Sequence, residues 1–310
     1  MSNMMPSRGF VTIATGSEKY FHMAYILLLS YRLSTSDPMP FAVITDKQNK
    51  YTAAFDKVVL LEHAACTYND KLELPLLAPY DETIFIDADC IAFGDLNRYW
   101  DCFEGASDFS CFGSKFPIES GRGWYTREGA GKYRNQVPYG VHLHGGIYFI
   151  RRSTTCEELH RIAHDIAAHY KEYQFRLFQQ PADEPILALS MALVNCVPAP
   201  VERWQLAWYM ESRNIKADFF RHQLSYSRMQ NGELCSFDSC VLMHFGTGHI
   251  NSPLYLMESR KVLFLHRHGR AWSAPEGLLI RAYCNALYTL FRVRRRLVRM
   301  WKQFKNRRPS

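Results

Sequence analysis

Apolar positions along the chain fall into short β-branched runs separated by stretches at helical spacing. Gly9 to Thr15 (Gly-Phe-Val-Thr-Ile-Ala-Thr) is such a run, and Tyr20 to Leu33 then carries apolar residues three and four apart, which predicts strand, loop, helix. Phe41 to Thr45, ending in Asp46, predicts a second strand. Val58 to Leu61 predicts a third, before a helix at about Lys71 to Ala78. Thr83 to Asp87 (Thr-Ile-Phe-Ile-Asp) is too uniformly apolar for a half-exposed strand. Strands that alternate with helices and are apolar on both faces imply an α/β protein with a mainly parallel sheet covered on both sides.

Gly113 to Gly140 has many Gly, Arg, Lys and Tyr residues and no sustained period, so it reads as a long loop of the kind that serves as a lid or binding loop. Gly145 to Arg151 predicts another buried strand, followed by a helix opened by Ser153 or Thr154 with Glu157 and Glu158 in its first turn. Pro185 to Val194 predicts a further helix, and Val241 to Phe245 a last short strand. From Ile280 onward apolar residues at 280, 283, 287, 290, 297, 301 and 304 keep helical spacing while arginines fill the opposite positions. This is the composition of an amphipathic basic helix with Trp301 and Phe304 on its apolar face. Such a helix either lies on an anionic membrane or packs on the domain with a solvated basic end.

Charge sharpens that division. Of 37 Lys and Arg, nine lie between Arg292 and Ser310, where there are no acids, so the rest of the chain sets 28 basic against 30 acidic residues. The net +7 therefore belongs to the tail, and no nucleic-acid partner is expected for the nearly neutral body. A content of 47% hydrophobic and 22% charged residues is that of a folded globular chain rather than a disordered one. Nine cysteines without a Cys-Xaa-Xaa-Cys pair suit buried thiols in a reducing compartment better than a disulfide framework or a zinc site. Met1 to Arg8 has no apolar run of the secretory kind, and no segment reaches the ~18 apolar residues of a membrane span, so a cytoplasmic protein is expected.

The strongest chemical signal is Ile84-Phe85-Ile86-Asp87-Ala88-Asp89, an apolar strand running into two carboxylates. Open α/β sheets bind ligands at the carboxyl ends of their parallel strands. Paired carboxylates there are costly unless a cation offsets them, and oxygen ligands favour Mg²⁺ or Mn²⁺, which also take substrate phosphates. A metal-bound diphosphate is the implied ligand. Read as residues alone, Asp87 and Asp89 also suit an ordinary strand-end turn.

In this company the chain resembles the retaining family 8 glycosyltransferases of the GT-A fold, the group of glycogenin and the bacterial lipopolysaccharide galactosyltransferases. The resemblance runs over about residues 9 to 255, through Ala14-Thr15-Gly16-Ser17-Glu18-Lys19-Tyr20, then Lys71-Leu72 with Pro79 to Asp89, Gly145 to Ile150, Asp183-Glu184-Pro185-Ile186-Leu187, and His244-Phe245-Gly246-Thr247-Gly248. It implies a nucleotide-diphospho-sugar transferase with a Rossmann-like sheet. It further implies a catalytic domain over 1–255, a helical extension over 256–310, and transfer of a hexose-type sugar from a nucleotide sugar, UDP-linked, to a glycan or lipid-linked acceptor with retention. Cell-surface glycan or lipopolysaccharide synthesis, at the inner face of the membrane, would suit the basic tail.

The resemblance also distributes roles. Asp87, Asp89 and His244 would hold Mn²⁺ or Mg²⁺; Thr15 and Tyr20 would meet the nucleotide, with Tyr20 stacking on the base. Lys71, Ala88, His144 and Gly145 would line the donor, and Gly248 and His249 the diphosphate. Asp183 and Glu184 would sit at the reacting face of the sugar. Three positions depart from the pattern: His144 stands for an Asn, Glu184 for a Gln, and His249-Ile250-Asn251 stands where a diphosphate-binding Lys is usual. His142 and Trp204 are further pocket candidates, while Tyr20 also suits a core aromatic and Lys71 a solvated helix residue. Two other functions fit parts of the chain. A haloacid dehalogenase-type phosphatase shares the apolar strand and Asp-Xaa-Asp, and a non-catalytic membrane- or nucleic-acid-binding protein would use the tail alone.

Overall fold

The computed structural model describes residues 7–200, 206–230 and 232–305, with the side chains of 302–305 excepted. Met1 to Pro6, Trp204 and the side chain of Phe304, each named in the sequence reading, lie outside the described residues. The chain divides into two compact units: residues 1–28, 35–90 and 95–205, and residues 29–34, 91–94 and 206–310.

The first unit is built on a six-stranded sheet. Its strands are β1 (Arg8–Ala14), β2 (Phe41–Thr45), β3 (Lys57–Leu60) and β4 (Glu82–Ile86), with β6 (Phe109–Phe116) and β7 (Gly140–Arg151) beyond the short β5 (Cys90–Ala92). The order is β3-β2-β1-β4-β7-β6, parallel from β3 to β4 and antiparallel at β4–β7 and β7–β6. The mainly parallel α/β sheet is thus as expected.

Alternation along the strands sends side chains to two covered faces. Val11, Phe85 and Tyr148 join the core formed with the helices α4 (Thr154–Ala168) and α5 (Asp183–Leu193). Their neighbours Phe10 and Phe149 turn the other way, where each meets the Trp100 ring of α3 (Tyr99–Cys102), at 5.8 and 6.3 Å between centroids. Helix α1 (Glu18–Ser34) follows β1. Helix α4 begins where the sequence placed it, with Ser153 Oγ accepting from the Cys156 amide.

Two expectations are corrected. Lys71 to Ala78 is not one helix: a 3-10 turn over Tyr68–Glu73 gives way to a single α turn, α2 (Leu74–Leu77). Pro75 lies in the first turn of α2 and Pro79 follows it, so neither can continue a hydrogen-bonded ladder. Residues 113–140 are not a lid-like loop either. Strand β6 runs on to Phe116, and Ile118, Tyr125, Ala130, Val137 and Tyr139 are buried in the α4–α5 core, with the Tyr125 hydroxyl donating to the Ala188 carbonyl at 3.3 Å.

In the second unit β8 (Leu206–Trp208) pairs in parallel with β12 (Leu242–His244), and β5 completes a three-stranded sheet. A second, antiparallel sheet of β9 (Arg213–Asp218), β10 (Gln223–Gln230) and β11 (Glu233–Phe237) has no counterpart in the sequence reading. Helix α6 (Pro253–His268) is capped by Ser252 and ends at Gly269, and α7 (Ala274–Lys305) follows. All nine cysteines are thiols, most of them buried.

Candidate active site

The order of the central sheet fixes where a ligand belongs. From β1 the chain moves to β2 and β3 on one side and to β4 on the other, so β1 and β4 flank the topological switch point. Open sheets leave a crevice at the carboxyl ends of such a pair. Thr15 and Gly16 follow β1 there, and Asp87 follows β4. The registers Val11 opposite Phe85 and Ile86 opposite Ile147 set these ends beside Gly145 and Gly146 of β7.

Beyond β4 the chain folds into a turn that holds both acids. The Asp87 amide donates to the Gly146 carbonyl at 3.0 Å, and the Asp87 carbonyl accepts from the Cys90 amide at 3.2 Å. Asp87 is half-buried and Asp89 is 6% exposed. Burial, with the charges of Asp89 and Asp87, pushes the Cys90 thiol far above its usual range.

Lys71, carried by the 3-10 turn, reaches into this group. Its ammonium donates to Asp87 Oδ2 at 2.9 Å and to the Gly145 carbonyl at 3.0 Å, and lies 3.1 Å from Asp183 Oδ2. Burial alone would lower its pKa, but Asp183 and Asp87 outweigh that and hold it above the ordinary lysine value. Lys71 is therefore a structural cation between two acids and not a solvated helix residue.

Asp183 and Glu184 open α5. Glu184 Oε1 accepts from the Gly145 amide at 2.8 Å. Burial and the neighbouring Asp183 charge nevertheless raise its carboxyl to about 7, against the pull of that amide and of Lys71. Gly145 makes the approach possible, because a Cβ there would lie 2.9 Å from Glu184 Oε1 and 3.0 Å from its Cγ. His144 is half-buried and its Nδ1 accepts from the Gly146 amide at 3.2 Å. His142 instead stacks on Trp124 at 4.8 Å.

At the end of β1 the Thr15 hydroxyl donates to Asp70 Oδ2 at 2.6 Å, and Asp70 Oδ1 accepts from the Ala65 amide at 2.7 Å. Asp70 precedes Lys71, so one 3-10 turn ties the β1 loop to the acids beyond β4. Gly16 has φ +75° and its amide donates to Asp46 Oδ1 at 3.1 Å. Tyr20 is half-buried in the first turn of α1, with the Lys19 ammonium 4.5 Å from its ring centroid. The bonds to Asp70 and Asp46 were not legible in the sequence, since isolated acids carry no motif.

Within the second unit His244 ends β12, and its ring stacks with Trp208 at 6.4 Å. The following turn has Gly246 at φ +70° and the His249 amide donating to the Gly246 carbonyl at 2.8 Å. Gly248 is exposed, and His249 packs beside Tyr209 at 5.2 Å. A cavity of about 700 Å³ in this unit is lined by Gly248, His249 and Asn251 and by Arg292, Arg296 and Arg299 of α7.

The first unit thus gathers Asp87, Ala88, Asp89, Lys71, Gly145, Asp183 and Glu184, with Thr15 linked through Asp70. Its donor chemistry suits a divalent cation. Asp87 and Asp89 offer hard oxygen ligands, while Lys71 is paired with Asp87 and Asp183. The raised Glu184 carboxyl reflects first its burial and second the neighbouring Asp183 charge.

No family model matches the chain, and no curated protein matches it. Among solved structures it is similar to the apo form of the bifunctional glycosyltransferase WbbM, at 16% identity and a TM-score of 0.41 over 68% of this chain and 41% of that one. It therefore spans less than half of the WbbM chain. It is similar also to the galactosyltransferase LgtC in complex with donor and acceptor sugar analogues, at 14% identity and a TM-score of 0.48 over 89% of this chain and 95% of that one. An active-site mutant of LgtC gives 14% identity and a TM-score of 0.47 over the same shares. These likenesses are distant, and the site rests on the chain's own residues.

Proposed function

We propose that this chain is a metal-dependent glycosyltransferase of GT-A type, which moves a hexose-type sugar from a UDP-linked donor to a glycan or lipid-linked acceptor with retention. The observation that carries the proposal is the Asp87-Ala88-Asp89 turn at the carboxyl edge of β4, beside the switch point and backed by Lys71, Asp183 and Glu184. Residues 1–255 would form the catalytic part and 256–310 the appendage.

Asp87 and Asp89, with His244 as third ligand on the strength of its His-Phe-Gly-Thr-Gly setting, would hold Mn²⁺ or Mg²⁺. When bound, the ion supplies positive charge against a departing diphosphate. Thr15 and Tyr20 would bind the nucleotide, His144 and Gly145 the donor sugar, and Gly248 and His249 the diphosphate. Lys71 keeps Asp87 and Asp183 oriented. Asp183 and Glu184 would meet the sugar at its reacting face. Glu184 Oε1 is already engaged by the Gly145 amide at 2.8 Å, which supports a hydrogen-bonding role for Glu184 over a covalent one. The exposed apolar side chains and arginines of α7 support contact with an anionic membrane face and, through it, with a lipid-linked acceptor.

A screen of nucleotide sugars for metal-dependent hydrolysis by the full chain tests the proposal. Release of sugar from a UDP-linked donor that stops on chelation is expected. Phosphate release from simple phosphomonoesters, with every nucleotide sugar left intact, would point instead to the phosphatase reading.

A further inference from the structure

On the α4 side of the first unit lies a second group of metal-binding side chains, separate from Asp87 and Asp89. His160 and His164 are one turn apart on α4, so their side chains project from the same face. Their rings lie 4.3 Å apart between centroids, tilted by 47°. Both turn Nε2 toward one carboxylate, that of Glu73 at the end of the 3-10 turn. His160 Nε2 is 3.0 Å from Oε2 and His164 Nε2 is 3.0 Å from Oε1. One ligand atom from each of the three residues can be chosen so that all lie within 4.8 Å of one another. Their side chains are 19%, 45% and 28% exposed for His160, His164 and Glu73, so an ion has a path from solvent.

We propose that Glu73, His160 and His164 form a binding site for Zn²⁺. Two imidazole nitrogens and a carboxylate oxygen are the ligand set of an open four-coordinate zinc site, whose last position is left to water. Zinc bonds of about 2.0–2.1 Å at tetrahedral angles set ligand atoms about 3.3 Å apart; each imidazole nitrogen already lies 3.0 Å from one oxygen of Glu73, and the three ligand atoms lie within 4.8 Å of one another, so side-chain rotation would close the set. Oxygen-preferring Mg²⁺ gains little from two imidazoles, so the chemistry separates this site from the carboxylate turn. Each histidine would bind as the neutral ring through Nε2 and keep its proton on Nδ1. Asp165, next along α4, is engaged by Lys132 and the Tyr133 hydroxyl and stands outside the set.

The position gives such an ion a consequence. Glu73 closes the 3-10 turn that carries Asp70 and Lys71, and α4 is fixed at its start by the Ser153 cap. Bound zinc would therefore clamp the turn to α4 and hold Lys71 against Asp87 and Asp183.

Titration of the metal-free full chain with Zn²⁺, followed by calorimetry and thermal unfolding, tests the site. Expected is a saturable zinc site that persists in Asp87→Asn/Asp89→Asn and weakens by at least roughly tenfold in His164→Ala. Saturating zinc should also raise the melting temperature of the wild type by roughly 5 °C, and that rise should vanish in His164→Ala. His164 is half-exposed on a helix, so alanine there keeps the fold; Glu73→Gln gives the same reading from the other element. Equal zinc affinity in wild type, His164→Ala and Glu73→Gln would overturn the proposal, as would zinc binding that disappears in Asp87→Asn/Asp89→Asn.

Discussion

Glu184 sits in an environment that runs against the charge its type ordinarily carries. Its folded carboxyl is raised from 4.5 to about 7, chiefly by burial, so the native state holds a proton that the unfolded chain releases. A raised acid contributes stability that is complete below pH 4.5 and is lost as pH rises through 7. In the metal-free protein this loss amounts to roughly 3 kcal/mol. Glu184→Gln, which keeps an acceptor for the Gly145 amide, should gain on the wild type across that window. Parallel urea titrations at pH 4.5 and 8 check it, and an unchanged gap between the two proteins would refute the buried-acid reading. Lys71→Met leaves Asp87 and Asp183 without their shared ammonium and should cost about 3–5 kcal/mol in metal-free protein. Stability within 1 kcal/mol of wild type would show that the two acids do not depend on it. The place of Asp87 and Asp89 in a turn at the end of β4 was legible because a uniformly apolar run stops at them. The bond from Thr15 to Asp70 was not, because it joins residues 55 positions apart with no pattern between them.

At the scale of elements, the approach of β7 to the start of α5 depends on a missing side chain. Gly145→Ala places a methyl 2.9 Å from Glu184 Oε1 and should cost about 1–3 kcal/mol while displacing the carboxylate. In Gly145→Ala/Glu184→Ala the obstacle is gone, so the double mutant should fall short of the summed single costs. Strict additivity in denaturation measurements would remove the contact from the account. The buried strands β1, β2, β4 and β7 could be read from their uniform apolar runs. Strands β9 to β11 could not, because Arg213, Arg228 and Glu233 break the alternation of a half-exposed sheet. Between β10 and β11, Gly232 takes φ +87°. Residues 117–139 are irregular apart from two 3-10 turns, as their lack of a period implies, but their buried aromatic residues pack them into the core instead of leaving them as a lid.

For the whole molecule, α7 is the feature that packing within the chain explains least. Leu278, Leu279, Leu290, Leu297 and Trp301 are each more than half exposed, among arginines, and no helix of the described residues is long and apolar enough to cross a membrane. Deleting residues 280–310 should abolish sedimentation with phosphatidylserine-containing vesicles while leaving donor hydrolysis nearly intact, and added salt should weaken wild-type binding in the same way. A deletion that melts the protein would instead assign the helix to the core. The carboxylates beyond β4 are tested by the affinity for UDP with and without Mn²⁺. Metal and diphosphate that share Asp87 and Asp89 must strengthen each other, by reciprocity of about 1–3 kcal/mol. The account predicts that Mn²⁺ tightens UDP binding at least fivefold in the wild type and has no effect in Asp89→Asn, whereas equal affinity with and without the metal would contradict it.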